Sequence, residues 1–246
     1  MDKEWLDNIQ YFEVEEKTEL EQWCAYIGYH KYKDIYNLLS NISSETITFK
    51  TLKAVAKYEF NLSDFLHSAI KFVELRFRAF LLNQYDFEIT KHNYITQISK
   101  IIGENKRELD SKTHYEYGLN EVSTFKEFIE KSGMDTLFKI VKVLSEEELK
   151  KLNLNKKDLD DILKGIKKLR NDVAHNQLLL IENKIELKSR IIKLLKCLPN
   201  AELKKKRIDK LDEINKKFEN ELTNKDSKIN EIKFVFTNED KIEIGL

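Results

Sequence analysis

The most regular hydrophobic pattern in the chain runs from Asn61 to Tyr85, where Leu62, Phe65, Leu66, Ala69, Ile70, Val73, Phe77 and Phe80 recur at spacings of three and four. That spacing places them on one face of a long helix, with Asn61 or Ser63 available to cap its start. A second helix is predicted from Asp158 to Val173 on the stripe Leu159, Ile162, Leu163, Ile166, Leu169 and Val173, with Asn155 placed to cap it. Between the two, helices are expected near Asn93 to Asn105, Thr124 to Lys131, Asp135 to Leu144 and Ser145 to Leu152, with Ser132-Gly133 as a break. The first sixty residues read as two or three shorter helices rich in aromatics. Beyond Pro199, Asn200 to Leu222 reads as a highly charged helix whose thin apolar line, Leu203, Ile208, Leu211, Ile214 and Phe218, suits an edge or a partner. From Ile232 to Ile244 the pattern alternates. Phe234, Phe236, Ile242 and Ile244 flank Asn238-Glu239-Asp240, which predicts a small β-hairpin.

The expected organisation is therefore an N-terminal helical extension over 1–60, a helical core over 61–199, and a charged helix with a hairpin tail over 200–246. Six glycines and one proline in 246 residues supply too few special backbone angles for a turn-rich all-β design, so the fold class is mainly α. Hydrophobic residues at 41% and charged ones at 35% match a globular composition. No apolar run approaches the ~18 residues needed to span a bilayer. The segment Met1-Asp2-Lys3-Glu4-Trp5 lacks the basic and apolar regions of a secretory signal, so the expectation is a cytoplasmic protein with no membrane partner. Cys24 and Cys197 read as reduced, half-buried thiols, although a bridge between them stays open on sequence alone.

Overall neutrality, 43 basic against 43 acidic side chains, hides an asymmetry. Residues 1–149 carry 19 basic and 26 acidic groups (net −7), 150–217 carry 20 and 10 (net +10), and 218–246 carry 4 and 7 (net −3). A local excess of that size attracts phosphate polyanions, and a solvated lysine-rich helix face gives the same count. The stretch up to Glu21, with eight acids against two bases, has the charge to cover that basic region. Its aromatics Trp5, Tyr11, Phe12, Trp23 and Tyr26 fit a helical core better than a base-stacking surface.

Histidines stand at 30, 67, 92, 114 and 175, never three or four apart, so no metal site is expected. Gly-rich phosphate loops, the Gly-x-Ser-x-Gly elbow and Cys-x-x-Cys are absent, and no cofactor is expected. The distinctive run is Leu169-Arg170-Asn171-Asp172-Val173-Ala174-His175-Asn176, at the end of the second helix. At 100° per residue Arg170 points close to the middle of the apolar stripe, so it either meets an internal carboxylate or lines a cleft or subunit interface. His175 lies ~140° further round and would not converge with Arg170 in one unbroken helix. Arg and His also suit a helix C-terminus, where Asn171 or Asn176 would cap. A second Arg/His pair, Arg107 and His114, lies in a polar stretch with no apolar helix leading into it and is set aside as accidental.

The run Leu159 to Asn176, with Leu169-Arg170-Asn171 and Ala174-His175-Asn176, resembles the Arg-Asn-x-x-x-His signature of HEPN domains, specifically the Abi-like abortive-infection proteins of bacteria. Glu74 and Arg78 look like the family's Glu-x-x-x-Arg element, and Ser132-Gly133-Met134-Asp135-Thr136-Leu137-Phe138 looks like its Phe-Gly-Thr-Leu-type segment. The resemblance covers about Leu62 to Leu198 and departs from the family pattern around Ser132 to Asp135 and at Gln177. It implies a HEPN-like helical bundle, a homodimer, and a metal-independent endoribonuclease whose site is shared by two copies of the Arg/His motif.

On that resemblance Arg170 would bind the scissile phosphate, His175 would move the proton, and Asn171 would orient one of them. Glu74 would steer Arg170 or His175, the alternative being an ordinary i,i+4 surface pair with Arg78. Arg78, Lys167, Lys168, Lys204, Lys205, Lys206 and Arg207 would contact RNA. The alternative function is a latent RNA-binding module regulated by a non-coding RNA or a partner protein.

Overall fold

The computed structural model describes residues 4–84, 125–181, 183–222 and 227–246, and among them the chain is mainly helical with no strand. Helices α1 (Glu4–Asp7), α2 (Val14–Trp23) and α3 (Tyr29–Ile42) come first, the latter two joined through a π-helical turn, Cys24–Gly28. Gly28 has a φ of 112°, which explains a glycine at this junction. Trp5 and Tyr32 of these helices are core residues, as the aromatic pattern suggested, whereas Phe12 and Tyr26 are 61% and 87% exposed. Two acids of this region pair close by, Asp7 with Lys17 at 2.9 Å and Glu19 with Lys53 at 2.7 Å.

The axis of the fold is α4, Phe49–Gln84, whose 36 residues extend about 54 Å at 1.5 Å per residue. It starts at Phe49 instead of Asn61. Thr48 caps it, its Oγ1 accepting from the Thr51 N–H at 3.2 Å. Asn61 and Ser63 are interior helical residues, and the boundary expected at residue 61 falls inside one continuous element. Then follow α5 (Phe125–Lys131), α6 (Met134–Val143), α7 (Glu146–Lys151), α8 (Leu159–Ala174), a 3-10 turn (Leu179–Ile181), α9 (Lys184–Lys196), α10 (Ala201–Glu221), α11 (Ser227–Asn230) and α12 (Asn238–Ile244). The helix expected near Asn93 to Asn105 lies outside the described residues, as do Arg107 and His114.

α4 touches α2, α3, α5, α6, α8, α9 and α10. Surrounded so, it buries Tyr58, Leu62, Leu66, Val73, Phe77 and Leu81 to 1% exposure or less; each such large apolar side chain contributes about 1.5–3 kcal/mol. Ser132 and Gly133 separate α5 from α6, Ser132 Oγ donating to the Phe128 carbonyl at 2.6 Å. Ser145 and Glu148 form a capping box at the start of α7. Asn155 does not cap α8: its Oδ1 accepts from the Asp158 N–H at 2.9 Å, shaping the turn before the helix. α10 lies on α4 of its own chain, burying Ile208, Leu211, Ile214 and Phe218.

The predicted C-terminal hairpin is not there. Phe234 and Phe236 do face inward from an extended segment, with Val235 57% exposed, but among the described residues no strand pairs with it. The second half is helix α12, because Thr237 and Asp240 make a capping box in which the Thr237 Oγ1 accepts from the Asp240 N–H. No helix among the described residues is long and apolar enough to cross a membrane.

Candidate functional site

The candidate motif sits where α8 ends. Leu159, Ile162, Leu163, Ile166 and Leu169 are buried, and Gly165 lets α9 approach so closely that a Cβ there would meet Lys193 Cδ at 3.2 Å. Asp172, in the middle of the motif, is 2% exposed. It lies 2.5 Å from Lys168 Nζ, and Arg190 of α9 stands 3.9 Å away. Asp172 thus ties the end of α8 to its neighbour, a role the sequence signalled only by setting a charge three residues beyond buried Leu169.

The helix stops in a Schellman turn. The Asn176 N–H donates to the Val173 carbonyl (3.1 Å) and the Gln177 N–H to the Asp172 carbonyl (2.9 Å). Asn176 takes a φ of 52°, a left-handed angle that asparagine tolerates, so of the two candidate caps it is Asn176 that ends the helix. Beneath the turn lies a buried ion pair. Lys31 Nζ donates to Asn176 Oδ1 at 2.7 Å and stands 3.8 Å from Glu59 Oε1, which accepts from the Leu179 N–H at 2.9 Å. Burial pushes the Glu59 carboxyl above and the Lys31 ammonium below their ordinary pKa values. Neither residue was singled out from the sequence; the available signal was Glu59 on the same helical face as Val55, Leu62 and Leu66.

Arg170 and His175 open in different directions, as the helical angle required. Arg170 is exposed and forms no ion pair with a carboxylate among the described residues; its Nη1 donates to Asn171 Oδ1 at 3.3 Å. It lines a cleft of ≈ 590 Å³ between α8 and α4, together with His67, Ile70, Lys71, Glu74, Leu75, Val173 and Ala174. Of the two placements expected for this guanidinium, the structure has the cleft. His175, also exposed, lines a separate cavity of ≈ 470 Å³ with His30, Lys31, Asp34 and Asn176.

Glu74 reaches the Arg170 cleft but spends its charge on Arg78, whose Nη2 lies 2.6 Å from Glu74 Oε1. Arg78 in turn donates to the carbonyls of Ile129, Glu130 and Ser132, anchoring α5 to α4. Of the expected RNA contacts, Lys167 pairs with Asp135 at 2.7 Å, Lys168 with Asp172, and Lys206 with Glu202 at 2.7 Å. Lys204 is withdrawn from the surface altogether, 8% exposed and donating to the Ile244 carbonyl at 2.6 Å. Arg207 is half-buried and donates to Ser68 Oγ at 3.0 Å, while Lys205 is exposed. The positive excess of 150–217 is also met in space by the acidic tail, Asp240 pairing with Lys188 at 2.5 Å and Glu243 with Lys196 at 2.7 Å.

Among the described residues no three or more His, Cys, Asp or Glu side chains gather to hold a metal ion. Cys24 and Cys197 are buried free thiols. Comparison of the chain with protein-family models, with curated proteins and with solved structures finds no match to any of them.

Proposed function

We propose that this chain is a metal-independent endoribonuclease of the abortive-infection type, similar to HEPN nucleases, acting in the cytoplasm at a site completed by two copies. The observation that supports it best is the state of Arg170. In a region where Lys167, Lys168, Arg190 and Lys193 all meet acids, this guanidinium meets none among the described residues and opens into a cleft. A planar, permanently charged fork left in that state suits a phosphodiester.

RNA carries its own nucleophile. Cleavage needs a base for the 2'-hydroxyl proton, a cation for the charge growing on phosphorus, and an acid for the departing 5'-oxygen. Arg170 supplies the cation, Asn171 holds its fork, and His175 handles a proton. Because His175 opens into a different cavity from Arg170, the two meet at one phosphate when a second copy presents its own His175 to this cleft.

The test is cleavage of an end-labelled single-stranded RNA in EDTA. Products bearing 2',3'-cyclic phosphate and 5'-hydroxyl ends, lost in Arg170→Ala and in His175→Ala, support the proposal. Activity that disappears in EDTA and returns with magnesium overturns it. Binding without cleavage, unchanged by His175→Ala, points instead to an RNA-binding module held latent by a non-coding RNA or protein.

A further inference from the structure

The cleft that holds Arg170 has an imidazole of its own. His67, Lys71, Glu74 and Leu75 lie at successive turns on one face of α4, so a single helix presents all four to Arg170 across the cleft. Neither His67 nor Lys71 has a hydrogen-bond or ion-pair partner among the described residues, and both are exposed. Glu74 is neutralised from outside by Arg78, so the cleft keeps the positive charge of Arg170 and Lys71. Its remaining lining is apolar: buried Ile70, Val173, Ala174, and Leu75, which leaves 54% of its surface in water.

Two cations and an imidazole beside an uncovered leucine match a ligand with an anion at one end and a flat apolar body at the other. A nucleotide has that composition, and a cleft of ≈ 590 Å³ lies within the usual range for ligand pockets, roughly 300–1,000 Å³. We infer that this cleft seats one nucleotide of single-stranded RNA, its base on Leu75 and its 3'-phosphodiester between Arg170 and Lys71, with His67 as a catalytic base on the 2'-hydroxyl.

The inference rests on the ribonuclease reading above and supplies the proton acceptor that reading lacks within one chain. The neutral imidazole of His67 takes the 2'-hydroxyl proton as the O2'–P bond forms. The P–O5' bond breaks, and the 5'-oxygen takes a proton from the imidazolium of His175 on the second copy. Two imidazoles then divide base and acid, and proton transfer by each is worth about 10²–10⁴-fold.

The experiment compares His67→Gln, which keeps a polar side chain but cannot exchange a proton, with Leu75→Glu and the unaltered protein. His67→Gln is expected to cleave at least ~100-fold more slowly, to bind RNA within about twofold of the unaltered protein, and to lose the acid-side fall of the kcat/KM profile. If His67→Gln cleaves at full rate with an unchanged profile while Arg170→Ala is inactive, His67 is not the base and the ribonuclease reading stands. The seat itself is read without cleavage, by titrating uridine 3'-monophosphate against the His67 ring protons in NMR. A shift that Arg170→Ala and Leu75→Glu both abolish supports the seat even if no RNA is cut. A His67 signal that never moves overturns it.

Discussion

Lys31 Nζ and Glu59 Oε1 lie 3.8 Å apart, with their side chains 7% and 0% exposed, and the pair holds the turn that follows the Arg/His motif. Lys31 grips Asn176, the left-handed residue, and Glu59 grips the Leu179 N–H. Burial raises one pKa and lowers the other, so desolvation works against both charges and their mutual attraction works for them. Glu59→Gln leaves an ammonium buried without its counter-charge and is expected to cost about 3 kcal/mol in urea unfolding. Replacing both, Lys31→Met with Glu59→Leu, should recover much of that stability while loosening the Asn176 turn. A single variant within ~1 kcal/mol of the unaltered protein would mean that the ammonium escapes to water when Glu59 is neutralised.

The C-terminal segment is fastened by a closed polar triangle inside the core. Tyr58 Oη donates to Asn215 Oδ1 (2.9 Å), Asn215 Nδ2 donates to the Phe234 carbonyl (2.9 Å), and the Phe234 N–H donates to Tyr58 Oη (3.0 Å). Asn215→Leu strands both a buried hydroxyl proton and a carbonyl, so a loss of about 2–3 kcal/mol is expected. Hydrogen exchange locates it: the Phe234 amide should exchange faster in Tyr58→Phe than the amides in the middle of α4. Equal acceleration everywhere would mean that the triangle belongs to the global core instead of securing the tail.

Legibility followed the physics of each element. α8 was readable to within a residue because one face is buried and the other wet, which writes a clean stripe. α4 was readable only over its last two thirds. Its first third, Phe49 to Phe60, is surrounded by α3, α10 and other helices, so apolar residues are not confined to one face and the Thr48 cap has no amphipathic onset behind it. At the tail, the alternation of Phe234, Val235 and Phe236 was a true inward-outward register, and the capping box at Thr237 overrode its continuation as a strand. Arg170 and His175 stood out as residues, but what surrounds them is assembled from distant segments. Lys31, Glu59 and His67 come together with the motif only once α3 and α4 are folded against α8, and no local spacing records that.

Cys197 is fully buried, and burial pushes its thiol up to about 12 from 9.0. A raised folded-state pKa favours the protonated thiol in the native protein. Its contribution is therefore complete below pH 9.0, where both states keep the proton, and is lost as pH climbs toward about 12, because the unfolded chain ionises first. At about 1.4 kcal/mol per pH unit, the difference approaches ~4 kcal/mol at the alkaline end. Cys197→Ala should be less stable near neutrality by about 1 kcal/mol yet show a flatter decline above pH 9. Parallel declines in the two proteins would show that other groups, such as Tyr32, also raised to about 12, govern the alkaline limb. The same burial predicts that iodoacetamide leaves Cys197 unmodified in the native protein at neutral pH.

Arg170 separates charge from shape. Because the side chain is exposed, Arg170→Ala should change unfolding free energy by no more than about 0.5 kcal/mol, so any loss of RNA handling is not a folding defect. If the guanidinium meets one phosphate, the same variant lowers the slope of log affinity against log salt by about one. Arg170→Lys keeps the point charge and discards the fork. It should therefore restore the salt slope measured by fluorescence anisotropy while single-turnover cleavage stays at least ~10-fold slow, since an ammonium cannot hold two phosphoryl oxygens in plane as charge builds on them. Full cleavage by Arg170→Lys would show that the cleft needs only a positive charge opposite α4, and that the bidentate geometry assigned to Arg170 plays no part in the transition state.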